Sequence, residues 1–327
     1  MPFFPSGSRM RRASAAGNPV LAAAWKTSRA ARPGRAAFRG PKTGNRDPRE
    51  WQCFKASLGG DFFYGIFPDH KAIDDYIAIR WITIVYMTQF LTSKRAIVTG
   101  GTRGIGRAIT ESLLEAGCSV LFCGRNAQAV QSTIDELKPR YGTKVFGQSA
   151  DVSSLDDVAE LFAYGDEAMG GIDILVNNAG IGIFAKMAEC AVDDWRRVID
   201  VNLSGAFYCS KQAVPRMIEA GGGYVIHIGS LAGKNPFATG AAYNASKFAL
   251  NGFAEAMMLD HRYDNIRVTS ILPGSVDTEF GRSGKKSGSN WKIASEDIAD
   301  MVIAVLKMPE RTMVSRIEMR PSKPQKG

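Results

Sequence analysis

The stretch KRAIVTGGTRGIGRAI, residues 94–109, runs from a short apolar segment through a cluster of glycines into an amphipathic segment. The apolar part, Lys94 to Thr99, predicts a buried strand, and the pattern from Gly104 to about Ala116 predicts a helix. Between them Gly100, Gly104 and Gly106 stand where the chain must turn tightly and let its backbone approach a partner. A strand that feeds a glycine turn and then a helix aims N–H groups and the positive helix end at an anion such as a pyrophosphate. The spacing is G-x-x-x-G-x-G, not G-x-G-x-x-G, so the weight of the motif lies in its position between strand and helix.

The same alternation continues to the carboxyl end. CSVLFCG (118–124), KVFGQSA (144–150), IDILVNN (172–178), GGYVIHIGS (222–230), IRVTSILP (266–273) and VSRIEMRP (314–321) read as six further strands. Helical segments separate them, two starting near Gln128 and Ser154. Seven strands with six helical connections predict one doubly wound α/β domain of Rossmann type with a seven-stranded parallel sheet, over residues 87–327. In such sheets ligands bind beyond the carboxyl ends of the strands.

The rest of the chain, residues 1–86, differs in character. Of 327 residues 45% are apolar, and the formal net charge is +9. Residues 1–50 hold eleven Lys/Arg against Asp47 and Glu50, so the first fifty residues carry that whole excess and the remainder is neutral. A neutral domain argues against a nucleic-acid partner. Residues 1–86 are expected to be a basic, disordered extension: residues 1–50 offer too little apolar surface for burial, and residues 51–86 are mixed in character and follow no pattern. Two readings of it stand: an over-extended gene start before Met87, or an Arg-rich, acid-poor transit peptide in residues 1–50. The five cysteines follow no metal-ligand spacing, which predicts a reduced protein without a metal, cytoplasmic unless the extension directs organelle import. YIAIRWITIVYMTQFL, from Tyr76, is short for a membrane span and broken by Arg80.

The end of the second strand of the sheet, LFCGRN, has no carboxylate where one would accept the adenosine ribose hydroxyls of NAD. Arg125 there, and Arg103 in the glycine turn, suit charge-assisted hydrogen bonds to a 2′-phosphate, so NADP(H) is favoured over NAD(H). The plainer reading makes both solvated surface arginines.

In AAYNASKFAL, residues 241–250, Tyr243 and Lys247 are four apart and share one helix face. A neighbouring ammonium favours the phenolate, which is expected to lower the phenol toward the neutral range and make it a proton donor and acceptor. Ser230, at the end of GGYVIHIGS, is placed to hold a carbonyl oxygen as negative charge develops on it. His227 lies in an apolar strand and reads as core, while His70 and His261 have no partner evident in sequence.

With TGGTRGIG (99–106), DVSS (151–154), NNAG (177–180), Ser230 and the Tyr-x-x-x-Lys pair in this order, the chain resembles the short-chain dehydrogenase/reductase family from about Met87 to Arg320. The resemblance implies a cofactor held by Gly100, Thr102, Arg103, Gly104, Ile105 and Gly106 of the turn, and by adenine contacts at Asp151 and Val152. It further implies contacts from Asn178, Ala179 and Gly180, from Tyr243 and Lys247, and from Pro273, Gly274, Val276 and Thr278 of LPGSVDT around the nicotinamide. Its catalytic set is Asn202, Ser230, Tyr243 and Lys247, with Asn202 holding a water on the proton path. The expected activity is NADP(H)-dependent interconversion of a small-molecule carbonyl (ketone, keto acid or 3-oxoacyl group) and a secondary alcohol, in a homodimer or homotetramer. The rival is a catalytically silent dinucleotide sensor or scaffold. Residues 279–291, rich in Gly and Ser, are expected to form a loop over the substrate, where Arg282, Lys285 and Lys286 suit an acidic substrate or a phosphopantetheine carrier, and a solvated surface at least equally.

Overall fold

The computed structural model describes the backbone of residues 52–58 and 61–67, and the whole of residues 89–280 and 289–324. The chain forms two compact units, Met1–Thr83 and Ile84–Gly327. In the first, β1 (Gln52–Leu58) and β2 (Asp61–Phe67) pair antiparallel, with Cys53 opposite Ile66. This corrects the reading of residues 51–86 as patternless; Gly59-Gly60 between two β-prone runs is a hairpin signal that the mixed composition obscured. The expectation of disorder over residues 1–50, and most of the apolar run from Tyr76, lie outside the described residues.

The second unit alternates strands and helices: β3 (Arg95–Thr99), α1 (Gly104–Glu115), β4 (Ser119–Gly124), α2 (Ala127–Tyr141), β5 (Val145–Ser149), α3 (Leu155–Met169) and β6 (Ile174–Asn177). Then follow α4 (Val192–Ile199), α5 (Gly205–Glu219), β7 (Gly223–Ile228), α6 (Ala241–His261), β8 (Ile266–Pro273), α7 (Ser295–Leu306) and β9 (Arg316–Met319). The seven strands lie in the order β5-β4-β3-β6-β7-β8-β9, and every pairing is parallel. The chain winds outward from β3 to β5, returns to lay β6 beside β3, and winds the other way. That reversal opens a crevice at the carboxyl ends of β3 and β6, after Thr99 and Asn177.

Strand period two distributes the core over both faces. Ala96 and Val98 pack with Ile109 and Leu113 of α1 and Val302 and Val305 of α7. Ile97, Leu121 and Leu175 face the other way, against Val158, Leu161 and Phe162 of α3, Met217 of α5 and Met257 of α6. Helices cover both faces, which is why the strands read as unbroken apolar runs. Complete burial of a side chain such as Ile97 or Leu175 stabilises the fold by about 1.5–3 kcal/mol relative to exposure.

Helix starts follow local caps. Asn126 Oδ1 accepts from the Ala129 N–H at 2.8 Å and begins α2; Ser154 Oγ accepts from the Asp157 N–H at 3.2 Å and begins α3. At α1 the N-cap residue Arg103 makes no side-chain cap bond, so first-turn N–H groups stay available to a ligand. Helix α4 runs into α5 through a π turn, Asp200–Ser204, which contains Asn202. Among the described residues no helix is long and apolar enough to cross a membrane, no three His, Cys, Asp or Glu side chains converge as metal ligands, and Cys118, Cys123, Cys190 and Cys209 are free.

Candidate active site

The carboxyl ends of the central strands border a cleft of about 740 Å³. At its floor the glycine turn needs glycine for definite reasons. Gly100 and Gly104 sit at φ +66° and +55°, the left-handed region, and a Cβ on Gly106 would overlap the Gly100 carbonyl oxygen and Asn178 Nδ2. Asn178 staples this turn to the end of β6: its Nδ2 donates to the carbonyls of Thr99 at 2.9 Å and Gly100 at 3.1 Å. The N–H groups of Asn178 and Ala179 both donate to Thr99 Oγ1 at 3.0 Å. The side-chain amide of Asn178 is thus engaged with protein, and its contribution to a ligand is to hold the turn in shape. An uncapped helix start above a Cβ-free turn fits a pyrophosphate.

The other residues implied for a dinucleotide lie along the same cleft. Thr102, Arg103 and Ile105 flank the turn; Arg125 stands just beyond β4; Asp151 and Val152 follow β5; Ala179 and Gly180 follow β6. Pro273, Gly274, Val276 and Thr278 close the far end after β8. Asp151 Oδ1 accepts from the Ser153 N–H at 3.0 Å and hydroxyl at 2.6 Å, and the Asp151 N–H donates to Asp157 at 2.9 Å, which fixes that turn. Arg125 is exposed at the rim. Arg103 is exposed too, but it pairs with Glu279 at 3.3 Å, a partner that sequence reading did not foresee. The lining of the trough fits a nicotinamide dinucleotide in chemistry: a Cβ-free turn and uncapped helix start at one part, and the groups after β8 at the other.

Ser230, Tyr243 and Lys247 meet at the inner part of the cleft. Ser230 follows β7 and caps the short turn Leu231–Gly233, its Oγ accepting from the Ala232 N–H at 3.1 Å. Its hydroxyl faces the Tyr243 phenol and favours the ionised form. Helix α6 can carry Tyr243 this close because Gly233 lies against its backbone; a Cβ there would meet the Lys247 carbonyl at 2.6 Å. The electrostatics correct the expectation for the phenol. Burial pushes Tyr243 up from its ordinary 10.0, and the Ser230 hydroxyl only partly offsets that. Lys247 Nζ lies 5.9 Å from the Tyr243 ring centre and donates to the Ile228 carbonyl at 3.0 Å; at the phenol, burial outweighs it. Buried itself, Lys247 is pushed down from 10.5 to about 8.

Asn202 does not line the cleft. It sits buried in the π turn, Nδ2 donating to the Ile181 carbonyl at 2.9 Å and Ser246 Oγ at 3.0 Å, and Oδ1 accepting from the Ile181 N–H at 2.8 Å. Both amide hydrogens are engaged, which leaves a lone pair on Oδ1 to meet a water. Gly180 keeps this group near the lysine: a Cβ there would lie 3.3 Å from Asn202 Oδ1 and 3.7 Å from Lys247 Nζ. His227 is wholly buried in β7 beside Asn177 and is pushed down to about 3 by desolvation, a neutral core residue. His261 pairs with Asp264 at 2.8 Å, and His70 lies outside the described residues.

Sequence reasoning missed the aromatic side of the site. Phe184, Phe237 and Phe280 surround Tyr243 at ring-centre distances of 5.8, 6.3 and 5.8 Å. They come from three loops with no shared periodicity, so no pattern in the chain announces them. Thr239, just before α6, adopts φ +66° and accepts a hydrogen bond from the Ala185 N–H at 2.9 Å, tying the loop after β6 to the helix start.

Comparison with known proteins agrees with this geometry. A family model described as short chain dehydrogenase matches residues 94–287. An uncharacterized oxidoreductase of Staphylococcus aureus (strain USA300) is 34% identical over 231 residues, 71% of this chain and 98% of the relative. A counterpart in Staphylococcus epidermidis is 32% identical over 228 residues, 70% and 97% of the two chains. Among solved structures, an alcohol dehydrogenase from the archaeon Thermococcus sibiricus, complexed with 5-hydroxy-NADP, is similar with a TM-score of 0.66 and 28% identity, covering 71% of this chain and 99% of that one. A metagenomic short-chain oxidoreductase in complex with NADP has a TM-score of 0.63 and 33% identity, over 72% and 99%. The closed form of a serine dehydrogenase complexed with NADP+ has a TM-score of 0.64 and 32% identity, over 69% and 94%. By sequence, fold and site architecture, the chain belongs to the short-chain dehydrogenase family of oxidoreductases.

Proposed function

We propose that the protein is an NADP(H)-dependent oxidoreductase that interconverts a carbonyl and a secondary alcohol. The observation that carries this reading is the meeting of Ser230, Tyr243 and Lys247 at the inner end of a cleft whose floor is the glycine turn. The nicotinamide cofactor, when bound, supplies or takes up the hydride at the substrate carbon. Ser230 holds the substrate oxygen, and Tyr243 gives that oxygen its proton in reduction and takes it back in oxidation. Burial keeps the phenol protonated at neutral pH, which suits it to the reductive direction. Lys247 reaches the ribose side of the cofactor and resupplies the proton, and Asn202 fixes Ile181 and Ser246 behind it. A silent binder would have no use for a serine–tyrosine pair held this way.

Arg125 at an open rim, with no carboxylate at the end of β4, supports NADP over NAD, and the NADP complexes of similar structures support it further. Exposed Trp195, Phe207 and Phe248 on α4, α5 and α6 support a homo-oligomer joined through these helices. NADPH oxidation measured across ketones, keto acids and 3-oxoacyl thioesters, with NADP+ reduction measured on the matching alcohols, tests the activity. Turnover of at least one class is expected; inactivity on all of them in both directions would overturn it.

A further inference from the structure

Three phenylalanines close around the reacting tyrosine, and two are only partly covered by protein. Phe184 meets Tyr243 edge-on at 5.8 Å and Phe237 at 5.5 Å, while Phe237 and Phe280 stay 44% and 47% exposed. Exposed aromatic surface of this kind gains free energy when an apolar ligand covers it. The arrangement is built. A Cβ on Gly182 would meet Phe184 Cζ at 2.6 Å and Phe280 Cε1 at 3.0 Å, so glycine there leaves both rings their place. Thr239, at φ +66°, holds the Phe237 loop to the Phe184 loop through its bond from Ala185, strain located beside the reacting residue.

Among the described residues three cations near this wall are already engaged; Arg282, Lys285 and Lys286 lie outside the described residues. Lys234 pairs with Glu318 at 2.6 Å, Arg103 with Glu279 at 3.3 Å, and Lys247 donates to the Ile228 carbonyl at 3.0 Å. A substrate carboxylate seated against the rings would lose its hydration without gaining one of these partners. We infer that the substrate is a neutral ketone, or the matching secondary alcohol, carrying an aryl or similarly broad apolar group that lies among Phe184, Phe237 and Phe280. This rests on the oxidoreductase reading above. The reaction is two-electron reduction of the ketone by NADPH: hydride to the carbonyl carbon, proton from Tyr243 to the oxygen, NADP+ and alcohol as products.

The test compares kcat/KM with NADPH for acetophenone, 3-oxohexanoate and acetone, and follows acetophenone binding to the NADP+-loaded protein by saturation-transfer NMR. Acetophenone is expected to exceed 3-oxohexanoate by at least about tenfold, and Phe184→Ala and Phe237→Ala each to lower the acetophenone-to-acetone ratio by up to about tenfold. Phe237→Leu, which keeps apolar volume, carries the same comparison should the alanine variants fail to fold. Preference for the oxo acid, an unchanged ratio in the variants, or no acetophenone binding to the wild type would overturn the inference. Acetophenone binding that weakens in Phe237→Ala, without turnover of any carbonyl, would uphold the aromatic subsite and sink the oxidoreductase reading instead.

Discussion

Replacing Lys247 by Met should make the protein more stable while disabling it. Lys247 is 4% exposed and is pushed from 10.5 to about 8 by desolvation. The difference, about 2.5 pH units at ~1.4 kcal/mol each, means the buried ammonium destabilises the fold by about 3 kcal/mol at neutral pH. Methionine fills a similar volume, and loss of the bond to the Ile228 carbonyl returns about 1 kcal/mol of that. A net gain of about 2 kcal/mol remains, or a rise of roughly 4–8 °C in Tm for a domain of this size. The sign with pH follows from proton binding. Below about 8 the lysine is charged in both states and the penalty is complete; between about 8 and 10.5 only the unfolded chain keeps the proton, so wild-type stability rises with pH through that window. Guanidinium unfolding of the two proteins at pH 7 and at about pH 10.5 reads the difference directly. A variant less stable at pH 7, or an advantage of equal size at both pH values, would refute the desolvation argument.

Arg125→Asp is expected to weaken NADP+ binding by about 10- to 100-fold, the size of a lost charge-assisted hydrogen bond, with little loss for NAD+; titration calorimetry checks it, and equal losses for both would contradict it. Burial raises the Tyr243 phenol, so alcohol oxidation, which needs it ionised, should climb with pH above neutrality while carbonyl reduction stays level; an oxidation profile flat from about pH 7 to 10 would contradict that assignment.

The fold was legible because its decisive signals are local. β3, the glycine turn and α1 are contiguous, and the parallel sheet, buried on both faces, shows itself as apolar runs at β4, β6 and β8. Ser230, Tyr243 and Lys247 could be read as candidates for the same reason, one at a strand end and two a helical turn apart. What the sequence does not display is where distant groups point and how deep they lie. Tyr243 and Lys247 share a helix face, yet burial outweighs their mutual field, raising the phenol and lowering the ammonium. Glu279 is 176 residues from Arg103, and the three phenylalanines belong to separate loops, so neither the ion pair nor the aromatic wall leaves a periodic trace. The π turn that buries Asn202 depends on packing against Ile181 and Ser246, which only the folded chain brings together.

The proton role of Tyr243 is tested most directly by Tyr243→Phe, which deletes one oxygen and keeps the ring that Phe184, Phe237 and Phe280 enclose. Single-turnover NADPH oxidation with a saturating carbonyl should slow by about 10²- to 10⁴-fold, with NADPH affinity unchanged. A variant that turns over at close to the wild-type rate would mean that another group delivers the proton.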